Sequence, residues 1–303
     1  MLYHSKHCSQ IVLYSSIGLL VLLFGKSANS FPAEIKEKGK ENVRAVPPIK
    51  SWKDDNPQNI WELSGLHEGD IMIHSTESES SKNGLLDATS RWPGGVIPYY
   101  IEENDFDEIN TIMGALMEYH EKTCLRFRPY KKSDDDYVTI QGKESGCWSL
   151  VGRHGRGQVL NLQKPGCVRH GVVVHEFMHA LGFYHQQSAP DRDDWVEIHW
   201  ENIKFGKEHN FKKYDNRTVT DYSIGYDYKS VMHYSSHAFS KNGEPTITPR
   251  EEVKLGQREG LSKKDLLKLQ AMYKEECSGR QPGGNSSMTT SSEDLSLISW
   301  LLS

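Results

Sequence analysis

Eleven residues, which begin at His175 and end at His185, constrain this chain more than any other stretch of its sequence. On a helix, residues four apart lie on one face, so His175 and His179 can present two imidazoles to one metal ion. Glu176 follows directly and can act as the general base on a metal-bound water. Gly182 predicts the helix end, because a residue without Cβ adopts the left-handed conformation at low cost, and the turn there returns His185 towards the metal.

Three histidines and a water make an open, catalytic kind of zinc site. A structural zinc site would instead fill all four positions with protein ligands, often cysteines. The pattern therefore predicts one catalytic Zn²⁺ per chain.

The amino terminus has the features of a secretory signal peptide. Residues 11–24 form a 14-residue apolar run, Lys6 precedes it, and the small residues 28–30 follow it. This predicts a signal peptide over residues 1–30 and a secreted protein. An uncleaved signal anchor is the alternative, although the run is shorter than the ~20 residues that span a bilayer. The net charge of -5 argues against a nucleic-acid partner.

Four of the five cysteines remain once Cys8 leaves with the signal peptide. An even number of cysteines in an oxidising compartment suggests two disulfides, and four cysteines allow three connectivities. The four are Cys124, Cys147, Cys167 and Cys277. Asn216 and Asn285 begin sequons and are candidate glycosylation sites.

Two further motifs narrow the kind of zinc site. Residues 226–234 contain Met232 in a pattern that resembles a methionine turn, and Asp191-Arg192-Asp193 follows the third histidine. The third histidine and the methionine turn together are the metzincin arrangement of zinc peptidases. Over roughly residues 61 to 277, the sequence resembles the astacin family of secreted zinc endopeptidases.

The resemblance implies an α/β (α+β) fold, a two-lobed metzincin peptidase domain over residues 83–278. Its amino-terminal lobe would hold a twisted mixed sheet and the zinc helix, and its carboxyl-terminal lobe would be mostly irregular with one helix. The resemblance also pairs Cys147 with Cys167 and Cys124 with Cys277.

Family resemblance assigns roles to individual residues. His175, His179 and His185 would bind zinc, and Glu176 would be the general base. Tyr234 would ligate zinc in the resting enzyme and then move to hydrogen-bond the oxyanion.

The resemblance also gives roles to residues around the metal. Met232 would form a hydrophobic floor beneath it. The strand residues Cys147, Trp148 and Ser149 would line the cleft, where a protein or peptide substrate lies as an extra antiparallel strand. No arginine or lysine follows Tyr234 within five residues, so the sequence gives no ground for expecting a preference for acidic substrate residues.

A propeptide is expected over residues 31–82. Within it, Leu66-His67-Glu68-Gly69-Asp70-Ile71 resembles the family motif in which an aspartate, here Asp70, binds zinc in place of the catalytic water. Gly69 would let the backbone pass close to the metal. We expect a trypsin-like protease to activate the chain between Lys82 and Asn83, and Asn83 lies nine residues before Trp92, as the mature terminus does in the family.

Two positions after the third histidine depart from the family pattern. The family usually has a glutamate directly after the third histidine, which receives the buried ammonium of the mature amino terminus, and an arginine three residues later. This chain has Gln186 and Ala189. Without that carboxylate, we expect activity to depend little on where the mature chain begins.

A non-catalytic relative that binds egg-coat or matrix proteins is the competing interpretation of this sequence. Loss of Glu176 or of a histidine would favour it, and all are present. Residues 279–303 are rich in Gly, Ser and Thr and predict a disordered tail. A lipid-anchor signal is the alternative for the tail, but Ser296 and Ser299 interrupt its short apolar end, which argues against membrane anchoring. The oligomeric state is not predicted.

The local patterns predict the following elements. There is a strand at residues 96–101, where Pro98 suggests an edge or a strand end, and a helix at 105–120 capped by Asp105 or Asp107. Short strands are expected at 125–128, 137–140 and 159–162, the zinc helix from near Val168, and a helix that Ser262 caps and that ends at Cys277.

Overall fold

The computed structural model describes residues 59–73, 88–102, 109–215, 219–280 and 282–283. The predicted signal peptide, the cleavage site at Lys82 and Asn83, both sequon asparagines and most of the tail lie outside the described residues. The domain boundaries that depend on them stay predictions.

A six-stranded sheet forms the centre of the amino-terminal lobe, in the order β1-β5-β6-β4-β2-β3. All neighbouring pairs are parallel except β5 and β6. Its strands are β1 (Ile71–Met72), β2 (Val96–Ile101), β3 (Arg126–Pro129), β4 (Val138–Gln141), β5 (Cys147–Leu150) and β6 (Gln158–Leu162).

Two helices pack beside this sheet, α1 (Ile109–Lys122) and α2 (His170–Ala180). They contact each other, and α2 also contacts β5 and β6. All of α2 from Gly171 onward is buried, so the helix that carries the first two metal-site histidines is fixed from every side. This burial makes α2 a rigid support for the histidines.

The carboxyl-terminal lobe has little regular structure. It contains one short antiparallel pair, β7 (Val196–Ile198) with β8 (Ile247–Pro249), several single turns of 3₁₀-helix, and the helix α3 (Lys263–Met272). Aromatic side chains form a separate core there, which includes Phe211, Tyr234 and Phe239. The predicted two-lobed α/β domain is thereby confirmed.

Both disulfides join the pairs of cysteines that the family resemblance implied. Cys147 at the start of β5 bonds to Cys167, which precedes α2. Cys124 follows α1 and bonds to Cys277, which follows α3, so the bond links two segments 153 residues apart.

Several predicted helix boundaries were wrong by a few residues. The first helix continues to Lys122 rather than ending at residue 120, and its predicted caps at Asp105 and Asp107 lie outside the described residues. The zinc helix begins two residues late, because Arg169 is still extended (φ -128°, ψ 139°). The last helix ends at Met272 rather than at Cys277, since the chain continues from Tyr273 in turns.

The prediction that Pro98 marks an edge or a strand end was also wrong, because Pro98 is the third of the six residues of β2. Strand β2 pairs with β3 on one side and with β4 on the other. The pairing with β4 begins only at Tyr99, however, so Pro98 lies where the strand has a single partner and its missing N–H costs no ladder bond. Within the described ranges, no helix has both the length and the apolar character needed to cross a membrane.

Candidate metal centre

Three histidines and one aspartate converge in the cleft between the lobes. The Nε2 atoms of His175 and His185 lie 3.1 and 3.3 Å from Asp70 Oδ2, and Nε2 of His179 lies 3.4 Å from Asp70 Oδ1. The four potential ligand atoms lie within 4.8 Å of one another, and all four residues are buried. The chain turns back to supply His185 at Gly182, whose φ is 109°, as the sequence predicts.

The Nδ1 atoms of these histidines fix which way each ring faces. Nδ1 of His175 donates to the carbonyl of Val231 at 2.8 Å, and Nδ1 of His179 donates to the carbonyl of Phe183 at 2.7 Å. A carbonyl oxygen can only accept, so Nδ1 carries the proton and Nε2 presents a lone pair. Histidine ligands of metals are usually oriented in this manner.

This donor set fits a zinc ion. Asp70 Oδ1 and His179 Nε2 are buried and have no hydrogen-bond partner among the described residues, which is the arrangement expected of atoms that bind a metal. Three imidazoles and one carboxylate oxygen make a four-coordinate set of the type zinc prefers. Zinc held here would be closed to water by Asp70.

Glu176 lies on α2 beside this cluster with its whole side chain buried. Neither of its carboxylate oxygens has a hydrogen-bond partner among the residues the structure describes. Burial, and after it the negative charge of Asp70, raises the pKa of Glu176 well above its usual range. A carboxylate with a raised pKa and free oxygens suits proton transfer.

Tyr234 is not directed at the metal cluster in this structure. Its hydroxyl donates to the main-chain carbonyl of Glu68 at 2.5 Å, and its ring lies 4.7 Å from that of His185. The predicted resting position of Tyr234 on zinc is therefore not the one adopted when residues 59–73 occupy the cleft. Met232 is buried beside it, and its carbonyl accepts a bond from the Gln186 N–H at 3.0 Å.

Residues 59–73 enter the cleft, where Ile71 and Met72 form an added strand. Residues Ile71 and Met72 pair with Ser149 and Leu150 in the parallel direction, and the Ser149 N–H donates to the Asp70 carbonyl at 3.0 Å. The substrate is expected to lie antiparallel to the same strand. This added strand therefore runs opposite to the direction expected of a substrate.

Backbone conformation brings Asp70 close to the three metal-site histidines. Gly69 has φ 88°, and a Cβ at this position would lie 2.9 Å from the ring of Phe239. Glu68 also has a positive φ, 47°, which is rare for a residue other than glycine. Glycine therefore fits the close approach expected at position 69, and Glu68 adopts an unfavourable backbone conformation beside it.

Asp265 supports the methionine turn from the start of α3. Its carboxylate accepts from the Ser230 hydroxyl at 2.6 Å and from the Val231 N–H at 2.9 Å, and it completes the capping box with Ser262. Because Val231 in turn accepts from His175, α3 is connected to a metal-site histidine through two hydrogen bonds. The capping pattern predicted the helix start, but nothing in it indicated this second contact.

Arg258 is a cleft residue that sequence reasoning missed. Its side chain is partly buried, its guanidinium carbon lies 5.2 Å from the centroid of the Trp61 ring, and Nη1 donates to the carbonyl of His233 at 3.1 Å. Its Nε and Nη2 have no partner among the described residues. The carboxylates of Asp70 and Glu176 are near enough for their charges to act on it. It lies 24 positions after Tyr234 in a stretch without regular structure, so no periodic pattern in the sequence indicated it.

Gln186 also has a partner that the sequence did not indicate. Its Oε1 accepts a hydrogen bond of 2.6 Å from Nζ of Lys268, and both residues line a cavity of about 350 Å³ behind His185. Burial lowers the pKa of Lys268, although the nearby Asp265 carboxylate opposes that shift. An ammonium group is therefore already present at the position where the family glutamate would receive one.

Comparison with known proteins places these observations in a family. The model of the Astacin peptidase family matches residues 85–274. Zinc metalloproteinase nas-14 of Caenorhabditis elegans is 41% identical over 311 residues, covering 90% of this chain and 61% of that protein. Meprin A subunit alpha of Rattus norvegicus is 41% identical, over 69% of this chain and 27% of that protein.

A solved structure agrees with the fold. High choriolytic enzyme 1, a hatching enzyme zinc-protease from medaka (Oryzias latipes), is 36% identical and superposes with a TM-score of 0.56. That match covers 66% of this chain and 98% of that chain. The chain spans 44%, 61% and 43% of the lengths of the nematode proteinases nas-15, nas-14 and nas-13.

Proposed function

The chain belongs to the astacin family of zinc peptidases, and we propose that it is a secreted endopeptidase, made as a latent proenzyme, that hydrolyses internal peptide bonds of extracellular proteins. The single observation that carries this proposal is the convergence of His175, His179, His185 and Glu176 around one buried site. The signal peptide predicted over residues 1–30 supports secretion.

The chemistry follows from the side chains in the cleft. Zinc, when bound by the three imidazoles, polarises a scissile carbonyl and acidifies a water molecule. Glu176 accepts the proton of the attacking water on a carboxylate oxygen and delivers it to the leaving amine. The Tyr234 hydroxyl donates to the oxygen of the scissile carbonyl, as it donates here to the carbonyl of Glu68.

Latency is attributed to residues 59–73. Asp70 fills the ligand position that a water would otherwise take, and the segment lies against the strand that is expected to bind substrate. Because the segment runs parallel to β5, its own peptide bonds are reversed relative to a substrate. A cut between Lys82 and Asn83 by a trypsin-like protease would release it.

Arg258 bears on the substrate class. In the latent chain its guanidinium stacks on Trp61, and the acidic residues that act on it include Asp70 and Glu62. Those three residues all leave with the propeptide, whereas Arg258 stays. Glu176 also stays near the guanidinium, but Nε and Nη2 have no hydrogen-bond partner among the described residues, so an acidic substrate side chain beside the scissile bond would be favoured there.

Proteolysis of the chain with trypsin, followed by assay on quenched peptides and on a denatured protein, tests this function. We expect hydrolysis at internal bonds, complete loss of it with a zinc chelator, and recovery when zinc is added back. A correctly cut, zinc-loaded chain that binds extracellular proteins but cleaves none would favour the alternative, a non-catalytic binding protein.

A further inference from the structure

The three metal-site histidines differ in what holds their second ring nitrogen. His175 and His179 each donate Nδ1–H to a main-chain carbonyl, of Val231 and Phe183, and both carbonyls belong to the peptidase domain. Nδ1 of His185 donates instead to the carboxylate of Glu68, at 2.7 Å. Glu68 lies in the segment that activation would remove.

The carboxylate of Glu68 sits in a site shaped for it. Its second oxygen accepts a hydrogen bond of 3.0 Å from the Ser188 hydroxyl, and the imidazole of His67 lies 3.9 Å from the same oxygen. The side chain of Glu68 is 2% exposed, and that of His185 is not exposed at all. A buried carboxylate with charge-assisted hydrogen bonds to the domain is held in one position.

The backbone at Glu68 agrees with a specific role for its side chain. Its φ of 47° is one that residues other than glycine rarely adopt, and Gly69 next to it has φ 88°. A residue persists in such a conformation only where its surroundings determine it. Here the surroundings are the carboxylate contacts and the bond from the Tyr234 hydroxyl to the Glu68 carbonyl.

We propose that Glu68 is a positioning residue for the third zinc ligand, so that the propeptide retains the metal by orienting His185 as well as by supplying Asp70. A carboxylate on Nδ1 orients the ring and makes Nε2 a better donor to the metal. Because removal of the propeptide takes this partner from His185 alone, the latent chain binds zinc more tightly than the mature enzyme. The inference rests on the proposed zinc-peptidase function.

The test measures zinc directly, as transfer of the metal from the purified full-length chain to a chromogenic chelator of known affinity. The chain carries Lys82→Gln so that it stays uncut. Replacement of an outer carboxylate on a metal-bound histidine commonly weakens metal binding by roughly 10- to 100-fold. We expect Glu68→Ala to weaken zinc binding in that range, and Glu68→Gln, which keeps an acceptor but not the charge, to lie between it and the wild type.

Glu62 provides a matched control. It is another buried carboxylate of the same segment, it accepts from the Phe239 N–H at 3.2 Å, and among the described residues it forms no hydrogen bond to a metal-site histidine. Glu62→Ala should leave the zinc affinity within about twofold of the wild type. Equal losses from the two alanine variants would mean that any loosening of the propeptide releases zinc, and would overturn the proposal.

The effect of Glu68 on zinc binding can be distinguished from that of Asp70 by repeating the measurement in chains that carry Asp70→Ala. In Asp70→Ala chains the aspartate ligand is gone, and Glu68→Ala should still weaken zinc binding by about the same factor. If the effect of Glu68 vanishes there, the residue acts only by placing Asp70, and the inference fails. A wild-type chain that binds no zinc would instead refute the proposed function itself.

A measurement on the unaltered sequence covers the case in which an alanine variant does not fold. Proton NMR of the zinc-loaded chain, before and after the cut, observes the three imidazole Nδ1–H protons. We expect the His185 proton to shift upfield when the propeptide leaves, and the His175 and His179 protons to stay in place. Three unchanged protons would contradict the proposal.

Discussion

The metal centre has a permanent part, which belongs to the peptidase domain, and a removable part, which the proposed activation would cut away, and the two are built differently. The permanent part is α2 with the methionine turn, where His175 and His179 are oriented by main-chain carbonyls and Asp265 braces the turn. The removable part is residues 59–73, where the contacts to the centre come from the carboxylates of Asp70 and Glu68. The difference indicates that the domain would keep the orientation of His175 and His179 when the segment leaves, whereas His185 would lose its Glu68 partner.

Glu176 tests whether the permanent part alone carries the chemistry. In the trypsin-cut chain, Glu176→Ala should reduce kcat roughly 10²- to 10⁴-fold, because the general base is lost while the three histidines remain. Zinc content and melting temperature should be those of the wild type, and Glu275→Ala, at an exposed position, is the control. More than half of the wild-type turnover in Glu176→Ala would refute the mechanism.

Tyr234 interacts with both parts in turn. Its hydroxyl donates to the Glu68 carbonyl in the latent chain and would donate to the substrate carbonyl in the cut enzyme. Tyr234→Phe should lower kcat of the cut enzyme by about 10²- to 10³-fold, as loss of one oxyanion donor does, with KM little changed. Steady-state kinetics on a quenched peptide provide both constants. A change in KM alone would mean that the hydroxyl binds substrate without assisting the reaction.

Arg258 belongs to the permanent part, and its substitution tests whether it determines a preference for acidic substrate residues. Hydrogen bonds to charged groups contribute about 1.5–3 kcal/mol, so Arg258→Gln should lower kcat/KM for peptides with an acidic residue beside the cut by roughly 10- to 100-fold relative to neutral peptides. Because the kcat/KM values for acidic and neutral peptides are measured on the same variant, any effect of the substitution on stability cancels in their ratio. Arg258→Lys keeps the charge and should retain part of the preference. An unchanged ratio would exclude Arg258 as a specificity residue.

Gln186 should give the smallest effect. Because Lys268 already donates to its side chain at 2.6 Å, an ammonium from the mature amino terminus has little to gain there. Mature chains that begin at Asn83, or one or two residues away, should melt within about 2 °C of one another, which is less than ~1 kcal/mol for a domain of this size. Calorimetry of the three forms measures this. A much higher melting temperature for the form that begins at Asn83 would contradict it.

Sequence reasoning predicted the permanent part better than the removable one, for a physical reason. The pattern from His175 to His185 is local, so helix geometry alone determines which side chains share a face. The contact of Glu68 with His185 joins residues 117 positions apart, and that of Arg258 with Trp61 depends on the irregular lobe. Periodicity contains no information about such pairs.

The same distinction explains the fold predictions. Strands β2, β3, β4 and β6 and the start of α2 were predicted to within about two residues because their apolar periodicity is strong, whereas β1, β7 and β8 were not predicted. The end of α3 was missed because Tyr273 and Cys277 are buried in turns that continue the helical spacing of apolar residues. The boundary depends on backbone angles, which that spacing does not determine.

The most direct test of this account is turnover of a quenched peptide by the secreted, uncut chain, with Lys82→Gln present in every sample. With Asp70 intact, the chain should be silent, and Asp70→Ala should make it active, or able to process itself, because the ligand position that the aspartate fills becomes open to water. If neither chain cleaved the peptide although both bound zinc, inhibition by Asp70 would be contradicted. Occlusion of the cleft would then be sufficient for latency.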